Sequence, residues 1–120
     1  MAANPPEQGA VCVAVIGCGY WGPNLIRNFS ALGRTDLKAV CDLDPEKLAR
    51  VKGRYPAVDL HQDLGRLLDD PSIDAVAICT PVHTHFPIAS AALKAGKHVL
   101  LEKPLTHSTE TAQALVDLAA

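Results

Sequence analysis

Six residues near the start of the chain, Gly17-Cys18-Gly19-Tyr20-Trp21-Gly22, carry three glycines in the spacing G-x-G-x-x-G. Glycine at the first place permits a very tight turn. At the second it lets the backbone approach a ligand closely, and at the third it lets a helix pack against a strand. When a helix follows, the turn offers free N–H groups and the positive end of a helix dipole, a combination suited to the pyrophosphate of a dinucleotide. Twenty residues beyond Gly22, Asp42 stands where a carboxylate would accept hydrogen bonds from the adenosine ribose hydroxyls. Asp44 and Glu46 are close by and no arginine is adjacent, so a ribose 2′-phosphate would meet like charge. NAD is therefore expected and NADP disfavoured. His83 and His85 form an H-x-H, but no cysteine or carboxylate completes a ligand set, and no metal is expected.

Such residues need a frame that brings them to one edge, and the apolar pattern describes one. Val11–Ile16, Leu37–Cys41, Ile73–Cys79 and His98–Leu101 are short, nearly continuous apolar runs, as in strands covered on both faces. A further strand is read near Val58 to Leu60. Between the runs lie helical stretches. In the first, Leu25, Ile26, Phe29 and Leu32 share a face, Pro23 suits the first turn and Gly33 the C-terminal cap. A second helix begins with Asp44 as N-cap and Pro45 behind it, a third spans about Asp63 to Leu68, a fourth about His85 to Ala95 before Gly96, and a last starts near Ser108. The order predicts an α/β protein with a doubly wound parallel sheet, the Rossmann fold, whose ligands sit beyond the carboxyl ends of the strands.

The chain has 120 residues, of which 48% are hydrophobic, enough for one core and one domain. Residues 1–10 are expected to be a flexible N-terminus and 11–120 the dinucleotide-binding domain. A net charge of -2 and only 4% aromatic residues argue against nucleic acid and anionic membrane surfaces as partners. Without a twenty-residue apolar span, a signal sequence or a C-x-x-C, the reading is a cytoplasmic protein with four reduced cysteines, Cys12, Cys18, Cys41 and Cys79.

From Val11 to about Ala120 the sequence resembles the N-terminal half of the Gfo/Idh/MocA oxidoreductases, the family of glucose-fructose oxidoreductase and inositol 2-dehydrogenase. The likeness rests on the glycine turn continuing into Pro23-Asn24, on Asp42, on Cys79-Thr80-Pro81-Val82-His83-Thr84-His85, and on Glu102-Lys103-Pro104. It implies that Thr80 and Pro81 line the nicotinamide side of the dinucleotide and that His85 makes a structural or cofactor-side hydrogen bond. It further implies that Lys103 is the catalytic residue, its ammonium stabilising charge on the reacting oxygen while Glu102 and Pro104 fix its presentation. Cys18, Tyr20, Trp21 and Glu102 join the expected cofactor-binding set, and His83 is read as a solvated loop residue.

The implied activity is hydride transfer between NAD and a secondary alcohol of a sugar, inositol or nucleotide sugar. The other reading kept open is a non-catalytic dinucleotide-binding module, acting as a sensor or partner subunit. The family's second α/β domain, which supplies the substrate-binding sheet, has no counterpart here, so the Rossmann sheet is read as incomplete at its C-terminal end. Apolar groups at the sheet edge and last helix would then be uncovered, and self-association or a homo-oligomer is expected.

Overall fold

In the computed structural model the described residues are 9–19 and 21–120. The flexible stretch expected for 1–10 thus lies, over 1–8, outside the described residues. The elements run β1 (Val11–Ile16), α1 (Gly22–Ala31), β2 (Thr35–Cys41), α2 (Pro45–Arg54), β3 (Asp59–His61), α3 (Leu64–Leu68), β4 (Ala75–Ile78), a single 3₁₀ turn (Val82–Thr84), α4 (His85–Lys94), β5 (His98–Leu101) and α5 (Thr109–Ala119). The five strands form one parallel sheet in the order β3-β2-β1-β4-β5. The chain winds outward from β1 through β2 to β3, then crosses back to place β4 on the other side of β1. That reversal, between β1 and β4, opens a crevice at the carboxyl ends of the strands.

Strand residues alternate between two apolar layers, as a period of two requires. Ala14 and Ile16 of β1 and Val76 and Ile78 of β4 pack with Leu67, Ala89, Ala92 and Leu115 from α3, α4 and α5. Val15 and Ala77 point the opposite way, onto Ile26 of α1 and Leu48 and Val51 of α2. Both faces are covered, which explains why the strands read as continuous apolar runs rather than alternating ones.

Boundaries depart from the sequence reading where side chains intervene. β2 begins at Thr35 because Thr35 and Asp36 pair with Val11 and Cys12, and the register then skips Lys38 between Val13 and Ala14. β4 is shorter than Ile73–Cys79, since Ile73 closes a turn on the Asp70 carbonyl and the Asp74 carboxylate accepts the Cys12 N–H. Gly33 is not the cap of α1. Leu32 ends that helix in an extended conformation, and the Thr35 hydroxyl donates to the Phe29 carbonyl at 2.7 Å, meeting one of the acceptors a left-handed glycine would have served. Gly96, at φ +81°, does play that part after α4, with the Lys97 N–H returning to the Ala92 carbonyl.

Because Ile26 is only 1% exposed and joins α1 to the sheet, Ile26→Ala should lower the unfolding free energy by about 2–5 kcal/mol. Urea denaturation followed by circular dichroism measures it; a loss below about 1 kcal/mol would mean that α1 does not depend on this contact.

Candidate functional site

β1 delivers the chain to Gly17, whose φ of +93° lies in the region glycine favours. A Cβ there would stand 2.9 Å from the Thr80 Cγ2 and 3.0 Å from the Cys79 carbonyl carbon. At Gly22 a Cβ would fall 2.0 Å from the Gly17 carbonyl oxygen, so the fold itself requires glycine at both places. Gly19 is different. Among the described residues other than its chain neighbours, the one heavy atom within 4 Å of its Cβ position is the Lys47 Nζ, at 3.8 Å, and the residue borders an open cavity. Its missing side chain leaves room for something other than the protein's own packing.

The helix behind this turn is also left open to an anion. Asp44, Asp63 and Ser108 cap α2, α3 and α5 with side-chain oxygens, whereas Trp21 gives α1 no side-chain cap and no acidic residue occupies its first turn. Pro23 has no N–H and the Asn24 N–H turns back to the Trp21 carbonyl at 3.0 Å, so what the start of α1 offers an anion is the Gly22 N–H and the positive end of the helix dipole, with no acidic side chain against them.

Asp42, just past β2, braces the same turn. Its Oδ2 accepts from the Cys18 N–H at 2.9 Å and from the Cys18 thiol at 3.3 Å, and its Oδ1 accepts from the Asp44 N–H at 2.8 Å. Partial burial alone would raise the carboxyl pKa, but these donors and the nearby Lys47 ammonium outweigh it and hold the group below its ordinary value. Burial, the bond to Asp42 and its charge push the Cys18 thiol up to about 12, so it stays a protonated donor. All four cysteines are free thiols.

The far wall comes from β4 and β5. Thr80 and Pro81 follow β4, and the Thr84 hydroxyl donates to the Pro81 carbonyl at 2.6 Å, closing the 3₁₀ turn. The Glu102 N–H donates to the Ile78 carbonyl at 3.2 Å, which sets Glu102 and Lys103 at the end of the β4–β5 pair. Burial and the Glu102 charge raise the Cys79 thiol to about 11. His85 is buried, with both ring nitrogens on backbone carbonyls: Nε2 at 2.8 Å from Thr80, Nδ1 at 3.0 and 3.2 Å from Pro104 and Leu105.

A cavity of about 960 Å³ runs across these ends. Gly17, Gly19, Trp21, Asp42, Thr80, Pro81, His85, Glu102 and Lys103, all singled out from the sequence, line it. Cys18 and Gly22 stand behind the lining, the first bonded to Asp42 and the second packed on Gly17; Tyr20 lies outside the described residues. His83 is exposed on the rim while the His85 ring is turned inward, and among the described residues no three His, Cys, Asp or Glu side chains converge on one point. Lys47 is the charged cavity residue that sequence reasoning missed, beside the uncharged Leu43, Gln62, Leu64 and Ile88. Its signal was available: a cation in the first turn of the helix after β2 must lie at the carboxyl edge, beside Asp42 and the glycine turn.

Taken together, the cavity offers an uncapped helix end, a glycine with space above it, a carboxylate and two lysines, which suits a ligand carrying both phosphates and hydroxyls. A family model described as an oxidoreductase family with an NAD-binding Rossmann fold matches residues 11–120. UDP-N-acetylglucosamine 3-dehydrogenase of Acidithiobacillus ferrooxidans is 38% identical over 110 residues, covering 88% of this chain and 32% of that protein. The crystal structure of GenD2 from gentamicin A biosynthesis in complex with NAD matches with a TM-score of 0.89 and 32% identity, over 99% of this chain and 34% of that one. KijD10, a 3-ketoreductase from Actinomadura kijaniata in complex with NADP and TDP-benzene, matches at 0.85 and 30%, over 92% and 34%. The chain thus spans about a third of the length of these relatives.

The three glycines should separate in their effects. Gly22→Ala should cost about 1–3 kcal/mol of stability or more, because backbone must move to admit the methyl. Gly19→Val should leave the urea midpoint nearly unchanged yet abolish NADH binding; retained affinity would mean that the ligand approaches elsewhere. Since Asp42 is held below its ordinary pKa, the stability it contributes is complete above about pH 4 and drains away as pH falls through the depressed value. Asp42→Asn should flatten that acid limb in a series of urea midpoints, and an unchanged limb would remove Asp42 as its source.

Proposed function

The chain belongs to the Gfo/Idh/MocA oxidoreductase family, and from that membership we propose that it holds NAD across the carboxyl ends of the sheet and presents Lys103 to a secondary alcohol of a sugar, inositol or nucleotide sugar. The observation that carries this reading is that Gly19, Asp42, Thr80 with Pro81, and Lys103, which lie on four different connections, line one cavity. When bound, the dinucleotide supplies the nicotinamide that accepts or donates the hydride.

Each remaining task falls to the chain. The glycine turn and the uncapped start of α1 take the pyrophosphate, with the Lys47 ammonium beside Gly19 adding positive charge. Asp42 uses its remaining acceptor capacity on a ribose hydroxyl and repels a 2′-phosphate, which favours NAD over NADP. Thr80 and Pro81 bound the nicotinamide side. The Lys103 ammonium donates a hydrogen bond to the substrate oxygen and stabilises the negative charge that builds there as the carbinol carbon changes oxidation state. Glu102, anchored to the Ile78 carbonyl, holds the lysine at the strand end. Self-association is assigned to the outer side of β5 and α5, where Leu105, Val116 and Leu118 are exposed around one groove and Leu100 is exposed on the opposite face of β5; sedimentation velocity at two concentrations would show a shift to larger species.

Fluorescence titration with NADH and NADPH tests the cofactor assignment. NADH should bind the more tightly, and Asp42→Ala should narrow the ratio of the two dissociation constants by about tenfold; an unchanged ratio would refute the role given to Asp42. Incubation of the same sample with NAD and a panel of sugars and polyols separates the two functional readings. Turnover lost in Lys103→Ala with NADH affinity preserved supports the oxidoreductase, and binding with no turnover of any panel member supports the binding module.

A further inference from the structure

We propose that His85 is a positioning residue whose ring Nδ1–H ties the loop after β5 to the start of α4, and so sets where the Lys103 ammonium stands in the cavity. The ring is 2% exposed, and its Nε2 lies 2.8 Å from the Thr80 carbonyl oxygen. On its opposite edge, Nδ1 lies 3.0 Å from the Pro104 carbonyl oxygen and 3.2 Å from that of Leu105. Carbonyl oxygens only accept, so the hold on the loop requires a ring hydrogen on Nδ1.

The two things joined differ in rigidity. His85 is the first residue of α4, a helix fixed in the core through Ala89 and Ala92, and Thr80 packs its methyl against the glycine turn. The segment 102–108 belongs to neither helix nor strand, and Lys103 is exposed within it. The Glu102 N–H on the Ile78 carbonyl holds its start, and the His85 ring holds the two carbonyls directly beyond Lys103. A lysine between two such anchors has a fixed backbone from which to reach, whereas one with the second anchor gone swings on a hinge at Glu102. Buried, with backbone carbonyl oxygens against both ring nitrogens, His85 has no nitrogen left for a dinucleotide, so the structure assigns it to the protein side of the site.

The catalytic meaning of the clamp rests on the reading of Lys103 given above, but the clamp can be tested without any cofactor. In the 120-residue chain the backbone order parameters at Lys103 and Leu105 should be near the rigid value of about 0.85, and His85→Ala should drop them below about 0.6. His85→Asn, whose amide nitrogen takes the place of Nδ1, should restore them, while His85→Gln, which replaces Nε2, should not. A purely structural histidine would move all three variants together in stability and none selectively at the loop. Loop order unchanged in His85→Ala, or restored by Gln and not by Asn, overturns the proposal. In the wild-type chain a persistent Nδ1–H resonance of His85 is expected in ¹H–¹⁵N spectra, and an unprotonated Nδ1 overturns the clamp even if no variant folds. An NADH titration of the wild type runs alongside. Failure to bind NADH would sink the cofactor reading and leave the clamp standing, so the two failures are distinguishable.

Discussion

Only 2.0 Å separates the Gly17 carbonyl oxygen from the place where a Gly22 Cβ would lie, and that closeness governs how the first helix meets the sheet. α1 can enter only at a residue without a side chain, directly over the turn that leaves β1. Its positive end is therefore brought to the carboxyl edge of the strands, where the Trp21 carbonyl accepts from the Asn24 N–H and no side chain caps the helix. The Thr80 methyl and the Cys79 carbonyl close on Gly17 from the next strand, so β4 inherits its position at the crevice from the same contact. The connections that line the cavity follow from this packing and from the reversal of strand order between β1 and β4.

Asp42 serves two purposes that compete for the same atoms. A carboxylate offers about four acceptor positions, and three are taken by the Cys18 N–H, the Cys18 thiol and the Asp44 N–H. This keeps the group ionised and ties the glycine turn to the end of β2, which rigidifies the site before any ligand arrives. It also leaves less acceptor capacity for a ribose than a free aspartate would have. The thiol is the weakest of the three donors and the one a hydroxyl could most readily displace. Lys47 adds a cation to the same corner, so charge around the glycine turn is balanced rather than purely negative.

The opposite half of the cavity is organised by backbone carbonyls instead of charges. Glu102 continues the β4–β5 ladder by one bond beyond its last paired residues, and the His85 ring spans the gap that the ladder leaves. The lysine expected to meet the substrate is thus carried on irregular chain but referred back to two rigid elements, β4 and α4. The glycine turn, Asp42 and Lys47 thus gather beyond β1 and β2, and Thr80, Glu102 and Lys103 beyond β4 and β5, on the two sides of the point where the strand order reverses.

Much of this was legible in the residues alone because it is local. Continuous apolar runs, the glycine spacing, the Asp44 cap, the helix starts near Asp63 and Ser108 and the E-K-P segment each declare themselves within a few positions, since propensity and periodicity act over one turn or one strand. Gly33 shows the limit even there: glycine after a helix was the natural cap, and Thr35 displaced it by bonding back to Phe29. What the sequence could not decide was who meets whom. Cys18 and Asp42 are 24 positions apart, His85 and Pro104 are 19, and Lys47 reaches Gly19 from another helix. Those meetings depend on strand order and on how closely each helix sits on the sheet. Only the tertiary structure turned a list of ligand-binding residue types into one cavity, with Asp42 already three-quarters engaged, Lys47 over the glycine turn and the His85 ring facing inward. The physical reason is that hydrogen bonds and steric closure act through space, while the pattern in a sequence records only what acts along the chain.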